Sequence, residues 1–381
     1  MQAEKTIPIM PQRSITDRLV SWLDEASPSV LLMPAVLIVL VLAVFPLIVS
    51  LYLSFSRFQF VRGGFDITFI GFKNYEKLLF GSEQRYVLGK LSQLDPVGWL
   101  VFAIYMGIML YLLYRYATSP RMRVFGFIMR VLTVAIAGTI GWIALRALTG
   151  NGLPGNLIVT LIFVLCGVTL QYLIGLGLGM LLTQNLPGKR FFRVAFLLPM
   201  MITPVGIAFL FRMLISVTQG PLGPLFKLLG TTDFSWVDTP HGARLIVVMG
   251  DTWQWTPFMF IILLAALEGV SRETIEAALV DGANRLQLFR FIILPEVIPV
   301  SITVILIRMI EAFKLIDIPN VMMGGGPGTA TETMTLYSYK AWKGLDLGLS
   351  SAVSYLLLFV VTFAAMVFVN IIRRRVLEIT Q

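Results

Sequence analysis

The sequence predicts an all-α integral membrane protein of eight transmembrane helices, and three observations carry that prediction. Of its 381 residues 57% are hydrophobic and only 13% charged, with a mean hydropathy of +0.84. No single soluble core hides so much apolar side chain, so lipid must be part of the solvent. Apolar runs of membrane length then recur, at about 31–55, 97–114, 125–147, 156–182, 191–215, 245–266, 297–318 and 350–369. Finally, basic residues stand at the ends of these runs rather than on one face. The net charge of +9 and pI of about 9.7 therefore reflect membrane orientation and not a nucleic-acid surface.

Residues 1–30 are polar and mixed, with Lys5, Arg13 and Arg18 and no small-residue cleavage site. They read as a cytoplasmic tail with an interfacial helix at 15–23. The first span, within 31–56, carries Pro34 and Pro46, which neighbouring helices can accommodate. Residues 57–96 are polar enough to leave the membrane, and 97–149 return as a hairpin of two spans joined by Arg115, Arg121, Arg123 and Arg130. In the fourth span Gly167, Gly175, Gly177 and Gly179 permit close helix approach. Cys166 in the same span, the one cysteine of the chain, is expected to be a small packed apolar residue and leaves no internal disulfide.

Pro187-Gly188-Lys189-Arg190 lacks the upstream glycine and following Ser or Thr of a phosphate loop and reads as a cytoplasmic turn. The fifth span carries Pro199 and Pro204. An external segment follows with Gly220, Gly223, Gly230 and His241, whose solitude argues against a metal site or a histidine-based triad. Gly324-Gly325-Gly326-Pro327-Gly328 makes a sharp external turn. The last span stops at Arg373-Arg374-Arg375, leaving 376–381 as a cytoplasmic tail. An even number of spans puts both termini on one side. The short connections at 115–130, 185–193 and 268–296 and the Arg cluster are all basic, which makes that side the cytoplasm. The long loop at 57–96 also carries Lys and Arg, so the rule is clearest on the short loops.

The stretch from Leu267 to Pro299, between the sixth and seventh spans, organises the rest. Ser271 N-caps a helix with Glu273 in its first turn, Ala277 and Ala278 leave a low surface, and Gly282 marks a bend before a second helix. Glu276-Ala277-Ala278, Asp281-Gly282-Ala283 and Ile293-Leu294-Pro295 resemble the EAA loop of permease subunits in bacterial ABC importers. Trp253 and Pro257 before it, and Gly324-Gly325-Gly326-Pro327 after it, are similar to the carbohydrate-uptake branch, especially its larger maltose-type permease. The resemblance covers roughly 160–375, the first span and Gly71-Phe72-Lys73-Asn74-Tyr75. It implies a permease core at 150–375 with a coupling loop at 268–296, and a periplasmic loop at 57–96. The hairpin at 97–149 departs from the common six-span pattern.

The resemblance also implies partners: a second permease subunit, two ATPase subunits, a periplasmic substrate-binding protein and a carbohydrate substrate, with no nucleic acid. This chain has no nucleotide-binding motif, so ATP-Mg is expected on the ATPase subunits and the chain itself is not expected to be an enzyme. Arg272, Glu276, Ala277, Ala278, Asp281 and Gly282 would then form the ATPase-coupling surface.

Ionisable groups at membrane depth cost about 2.5–3.5 kcal/mol each on insertion scales, so they pair or line a polar cavity. Asp251, Gln254, Trp255 and Phe258 repeat at helical spacing on the sixth span, and Arg308, Glu311 and Leu315 on the seventh. By resemblance these two faces correspond to positions that hold sugar within the membrane; aromatic planes and charged groups suit ring faces and hydroxyls. Two readings stay open: substrate contact, or mutual neutralisation of the i, i+3 pairs Arg308–Glu311 and Lys314–Asp317. The competing function is an ion-gradient carrier working through Asp251, Glu311 and Asp317, with which a polar coupling loop does not fit. An intramembrane enzyme lacks a nucleophile–base or metal constellation.

Overall fold

The computed structural model describes residues 32–379 apart from 119–123, 149–152, 185, 218, 229 and 231–235. The expected tail at 1–30 with its interfacial helix, and Arg121 and Arg123, lie outside the described residues. The chain divides into two compact units, Met1–Leu53 and Ser54–Gln381.

The described part of the first unit is helix α1 (Leu32–Ser54) up to Leu53, with mean hydropathy 3.0 in its most apolar window. A π turn at Leu40–Val44 precedes Pro46. Proline clashes with the carbonyl four residues back, here inside that turn, and the wider turn makes room for the ring.

In the second unit the polar loop folds rather than merely crossing. Strands β1 (Ser56–Val61) and β2 (Gly64–Phe69) pair antiparallel about Arg62-Gly63, with Gly63 at φ +97°. Asn74 opens the short helix α2 (Lys73–Leu79); its buried amide donates to the carbonyls of Ser54 (2.9 Å) and Ser56 (3.0 Å), so it pins the loop to the start of the hairpin. Helix α3 (Gln84–Val87) leads to β3 (Gly89–Lys90), which pairs with β4 (Leu153–Pro154).

Between those strands lie α4 (Pro96–Ala117) and α5 (Val124–Leu148), the predicted hairpin. Their aromatics pack on one another: Trp142 meets Trp99 and Phe102 edge-on at 5.2 and 5.0 Å, and Tyr105 donates to the Ala137 carbonyl at 2.9 Å.

The core is α6 (Asn156–Thr183) packed along α11 (Pro240–Glu268). Gly175 makes that approach possible: a Cβ there would lie 2.7 Å from the Met259 Cβ and 2.9 Å from the Phe260 N. Gly167 and Gly179 also face α11, whereas Gly177 faces open space, so three of the four expected close-packing glycines do that work. Cys166 is exposed, not packed within the chain.

The expected fifth span is broken. Helices α7 (Lys189–Ala195) and α8 (Leu198–Met201) meet α9 (Pro204–Leu214) at 97°, because Thr203 caps a new start at Pro204, accepting from the Gly206 N–H at 3.3 Å. After α10 (Gly223–Leu228), α11 starts earlier than its apolar run suggests, Thr239 capping it ahead of Pro240. Past α12 (Arg272–Val280), α13 (Arg285–Ala312) runs unbroken through a π turn at Phe289–Ile293 beside Pro295. The predicted seventh span at 297–318 therefore begins twelve residues sooner, at the reciprocal cap of Asn284 with Gln287, and ends at Ala312. Helices α14 (Asp317–Met323), α15 (Met334–Lys343) and α16 (Leu347–Ile379) complete the chain, with Gly324 and Gly325 in left-handed backbone between the first two. Seven described helices are long and apolar enough to span a membrane, and the bent pair makes an eighth if it crosses as one.

Candidate functional site

Of the charged residues predicted at depth, Asp251 on α11 and Arg308 on α13 meet. Both are almost fully buried, at 2% and 1% exposure, and the Arg308 Nη2 donates to both carboxylate oxygens of Asp251 at 2.7 and 2.6 Å. The i, i+3 pairing of Arg308 with Glu311, one of the two open readings, does not form. Glu311 instead accepts from Lys314 at 2.6 Å at the exposed end of α13, and Lys314 and Asp317 fall beyond the helix end, in the turn and at the start of α14.

A third member comes from α6. The Gln171 amide oxygen accepts from the Arg308 Nε at 2.8 Å, and its nitrogen donates to the Asp251 carboxylate at 2.8 Å. Its position four residues after Gly167 explains the fit: a Cβ on Gly167 would stand 3.1 Å from the Asp251 carboxylate, so the glycine leaves the acid its space. Sequence reasoning passed over Gln171. The available signal was an amide in the middle of an otherwise apolar span, which needs a partner wherever water is absent. Buried, charge-assisted and completed by an amide, the three groups join three spans into one neutral assembly.

Trp255, one turn after Asp251, lays its ring against this assembly, with the Arg308 guanidinium 4.7 Å from the ring centre. Phe258 meets Trp255 edge-on at 6.1 Å; both rings are only half-buried. Gln254 turns elsewhere, its nitrogen reaching the Ile202 carbonyl at 3.4 Å beside the broken span while its buried oxygen has no hydrogen bond. Leu315 is half-buried in the turn beyond α13, and its carbonyl accepts from Thr333 at 2.8 Å. The structure thus gathers Asp251, Trp255, Phe258 and Arg308 with Gln171, and leaves Gln254, Glu311 and Leu315 apart from that cluster.

At the far end of α11 the Leu267–Pro299 stretch has the expected helix, bend and helix. Ser271 caps α12, its hydroxyl 3.5 Å from the Thr274 N–H, and the chain turns at Gly282, φ +82°, which has nothing within 4 Å of a built Cβ. Arg272, Glu276, Ala277 and Asp281 are exposed and Ala278 half-buried; beside them Leu279, Val280 and Leu286 are exposed, Val280 at 87%. Glu268, at the start of this stretch, accepts from Arg193 of α7 at 2.7 Å and lies 3.4 Å from Lys189.

The structure is thus a bundle of membrane-length helices with a capped, exposed helix–bend–helix between two of them and a paired acid and guanidinium inside. Residues 171–378 match the family of inner membrane components of binding-protein-dependent transport systems, and the chain belongs to that family. It is a multi-pass ABC importer permease rather than an ion-gradient carrier.

Among its relatives, a trehalose/maltose transport permease of Thermococcus litoralis is 32% identical over 231 residues, 61% of this chain and 78% of the relative. A probable ABC transporter permease of Sinorhizobium fredii is 28% identical over 335 residues, 87% and 86%. In fold, the chain resembles a solved bacterial alginate ABC transporter in complex with its alginate pentasaccharide-bound periplasmic protein. The TM-score is 0.53 at 19% identity, over 73% of this chain and 95% of that one.

Proposed function

We propose that this permease carries a neutral sugar, oligosaccharide or polyol glycoside past Trp255 and Phe258, and that its Leu267–Pro299 loop receives the ATPase. The observation that supports this most is the closed charge balance at depth: Arg308 already faces Asp251, with Gln171 completing the set. An anionic substrate would have to displace a buried carboxylate from its guanidinium, whereas a neutral ring meets two half-buried aromatic faces and hydroxyl-seeking groups. A relative that transports trehalose and maltose supports the same substrate class. Of the predicted contacts, Trp255 and Phe258 would touch sugar and Asp251 and Arg308 would hold Trp255 in place. Gln254, Glu311 and Leu315 would flank the path.

For the coupling surface, the exposed apolar residues Leu279, Val280 and Leu286 beside Glu276 and Ala277 suit a cleft on a partner ATPase. Arg272 and Asp281 would sit at its polar edge, and Gly282 would set the angle between α12 and α13. In this reading the loop faces the cytoplasm, together with the Lys189–Arg193 turn that Glu268 contacts; the basic short connections support the same side for both termini. A shallow recess of about 320 Å³ between α11 and α13, lined by Ile262, Pro299 and Thr303 among others, offers an apolar seat for the second permease subunit. Two ATPase subunits and a periplasmic binding protein complete the importer in this reading.

The test is ATP-driven uptake by the co-purified assembly in proteoliposomes, with its binding protein and a panel of neutral and uronic-acid sugars. Uptake of neutral sugars alone supports the proposal; preferred uptake of the uronates contradicts it.

A further inference from the structure

The turn that resembles a phosphate loop without being one has a different claim on phosphate. Lys189, Arg190, Arg193 and Val194 line a recess of about 470 Å³. One carboxylate, Glu268, serves both Lys189 and Arg193, and Arg190 is exposed with no ion pair among the described residues. Three cations against one acid leave an excess of two positive charges in a single helical turn.

The recess lies at the ends of two spans at once: α6 finishes at Thr183, six residues before α7 begins at Lys189, and Glu268 is the last residue of α11. It therefore stands at the boundary between hydrocarbon and water. Alongside the cations run exposed apolar side chains of the same bent segment, Phe191 at 71%, Val194 at 64%, Leu198 at 54% and Met201 at 79%. A free phosphate or a nucleotide has no use for that strip. A molecule with an anionic phosphate at one end and acyl chains at the other matches both features, and guanidinium groups fork onto phosphate oxygens.

We infer that Lys189, Arg190 and Arg193 form a binding site for the headgroup of an anionic phospholipid, whose chains lie along Phe191, Val194, Leu198 and Met201. Its occupancy steadies the broken span at the point where Arg193 meets Glu268, at the start of the Leu267–Pro299 loop. The inference rests on the site and not on the proposed substrate.

Native mass spectrometry of the delipidated full chain, with whatever subunits accompany it, tests this by titration with phosphatidylglycerol, phosphatidylcholine or inorganic phosphate. Phosphatidylglycerol is expected to bind at least tenfold more tightly than phosphatidylcholine, and phosphate at equal concentration is expected not to displace it. Arg190→Gln, an exposed change that disturbs no ion pair, should weaken phosphatidylglycerol binding by roughly fivefold. Arg190→Lys should restore most of it, and Arg212→Gln, an exposed arginine on α9, should leave it unchanged. Equal binding of the two lipids overturns the inference, as does displacement by phosphate, an unchanged Arg190→Gln, or an equal loss in Arg212→Gln.

Discussion

The hairpin α4–α5 and the core of α6, α11 and α13 are both built from long apolar helices, yet they solve the membrane problem in opposite ways. The hairpin's indoles and phenols pack between its own two helices, Arg146 reaches the adjoining loop at Ser92, and 6% of the residues in each of its membrane-length windows are buried. In the core, half or more of the corresponding windows of α6 and α11 are buried, and a charged pair with its amide sits between helices. Lipid accepts any apolar surface, so apolarity alone says little about importance. What separates the regions is the polar group that needs a partner from another span.

The largest effect is expected at Arg308. Arg308→Ala strands a buried carboxylate, with an expected destabilisation of about 3–5 kcal/mol and a loss of assembled protein on size-exclusion chromatography. The double variant Arg308→Met, Asp251→Leu removes both charges and should recover much of the yield without recovering uptake. If the single variant assembles as well as wild type, the network is not what holds the core.

Coupling should fail next. Gly282→Val puts a β-branched residue at φ +82°, and substrate-stimulated ATPase activity should fall at least tenfold while the assembly persists. Wild-type stimulation in that variant would remove the bend from the account.

Close packing ranks third. Gly175→Ala forces a Cβ against Met259 and the Phe260 backbone, for an expected loss of about 1–3 kcal/mol, or several degrees in thermal midpoint. Gly177→Ala on the same helix faces open space and should be silent, so equal effects at the two positions would contradict the packing described.

The smallest effect belongs to a helix that is not among the candidate spans. Tyr337 on α15 donates to Glu83 at 2.7 Å, and burial, then that bond and the charge of Glu83, push its phenol far above the ordinary value of 10.0. The folded state favours the neutral phenol. Its contribution is therefore complete below about pH 10, where the unfolded phenol titrates, and is lost as pH rises through the higher folded value. Tyr337→Phe should cost about 1–2 kcal/mol at neutral pH and make stability less sensitive to alkali, as read by thermal melts at pH 8 and above pH 10.

Much of this was legible in the sequence because it depends on local spacing. Ser271 and Gly282 declare their cap and bend within a few residues, and the ionisable Asp251 and Arg308 stand out against apolar runs. The partner of Arg308 was not legible, since i, i+3 spacing nominates Glu311 while the fold supplies Asp251 from 57 residues away. Gln171 escaped for the same reason, its relation to Arg308 being purely tertiary. The start of α13 was hidden by polarity: 285–296 is not apolar enough to join a span by hydropathy, but Asn284 and Gln287 cap it and the helix runs straight on. The break in the fifth span was visible as Thr203-Pro204 yet reads equally as a tolerated proline in a continuous helix. The hairpin strands at 56–69 were missed inside a segment judged only by its polarity.

In the proposed function the buried ion network holds Trp255 as a face for substrate while the hairpin's aromatics serve only their own packing. The direct measurement is uptake kinetics of Trp255→Ala and Trp142→Ala, side by side in the reconstituted importer. The account predicts that both assemble, that Trp255→Ala lowers uptake about tenfold, and that Trp142→Ala changes it less than twofold, given about 1.4 kcal/mol for each factor of ten. Wild-type uptake by Trp255→Ala over a range of substrate concentrations would contradict it and move the substrate path away from this face.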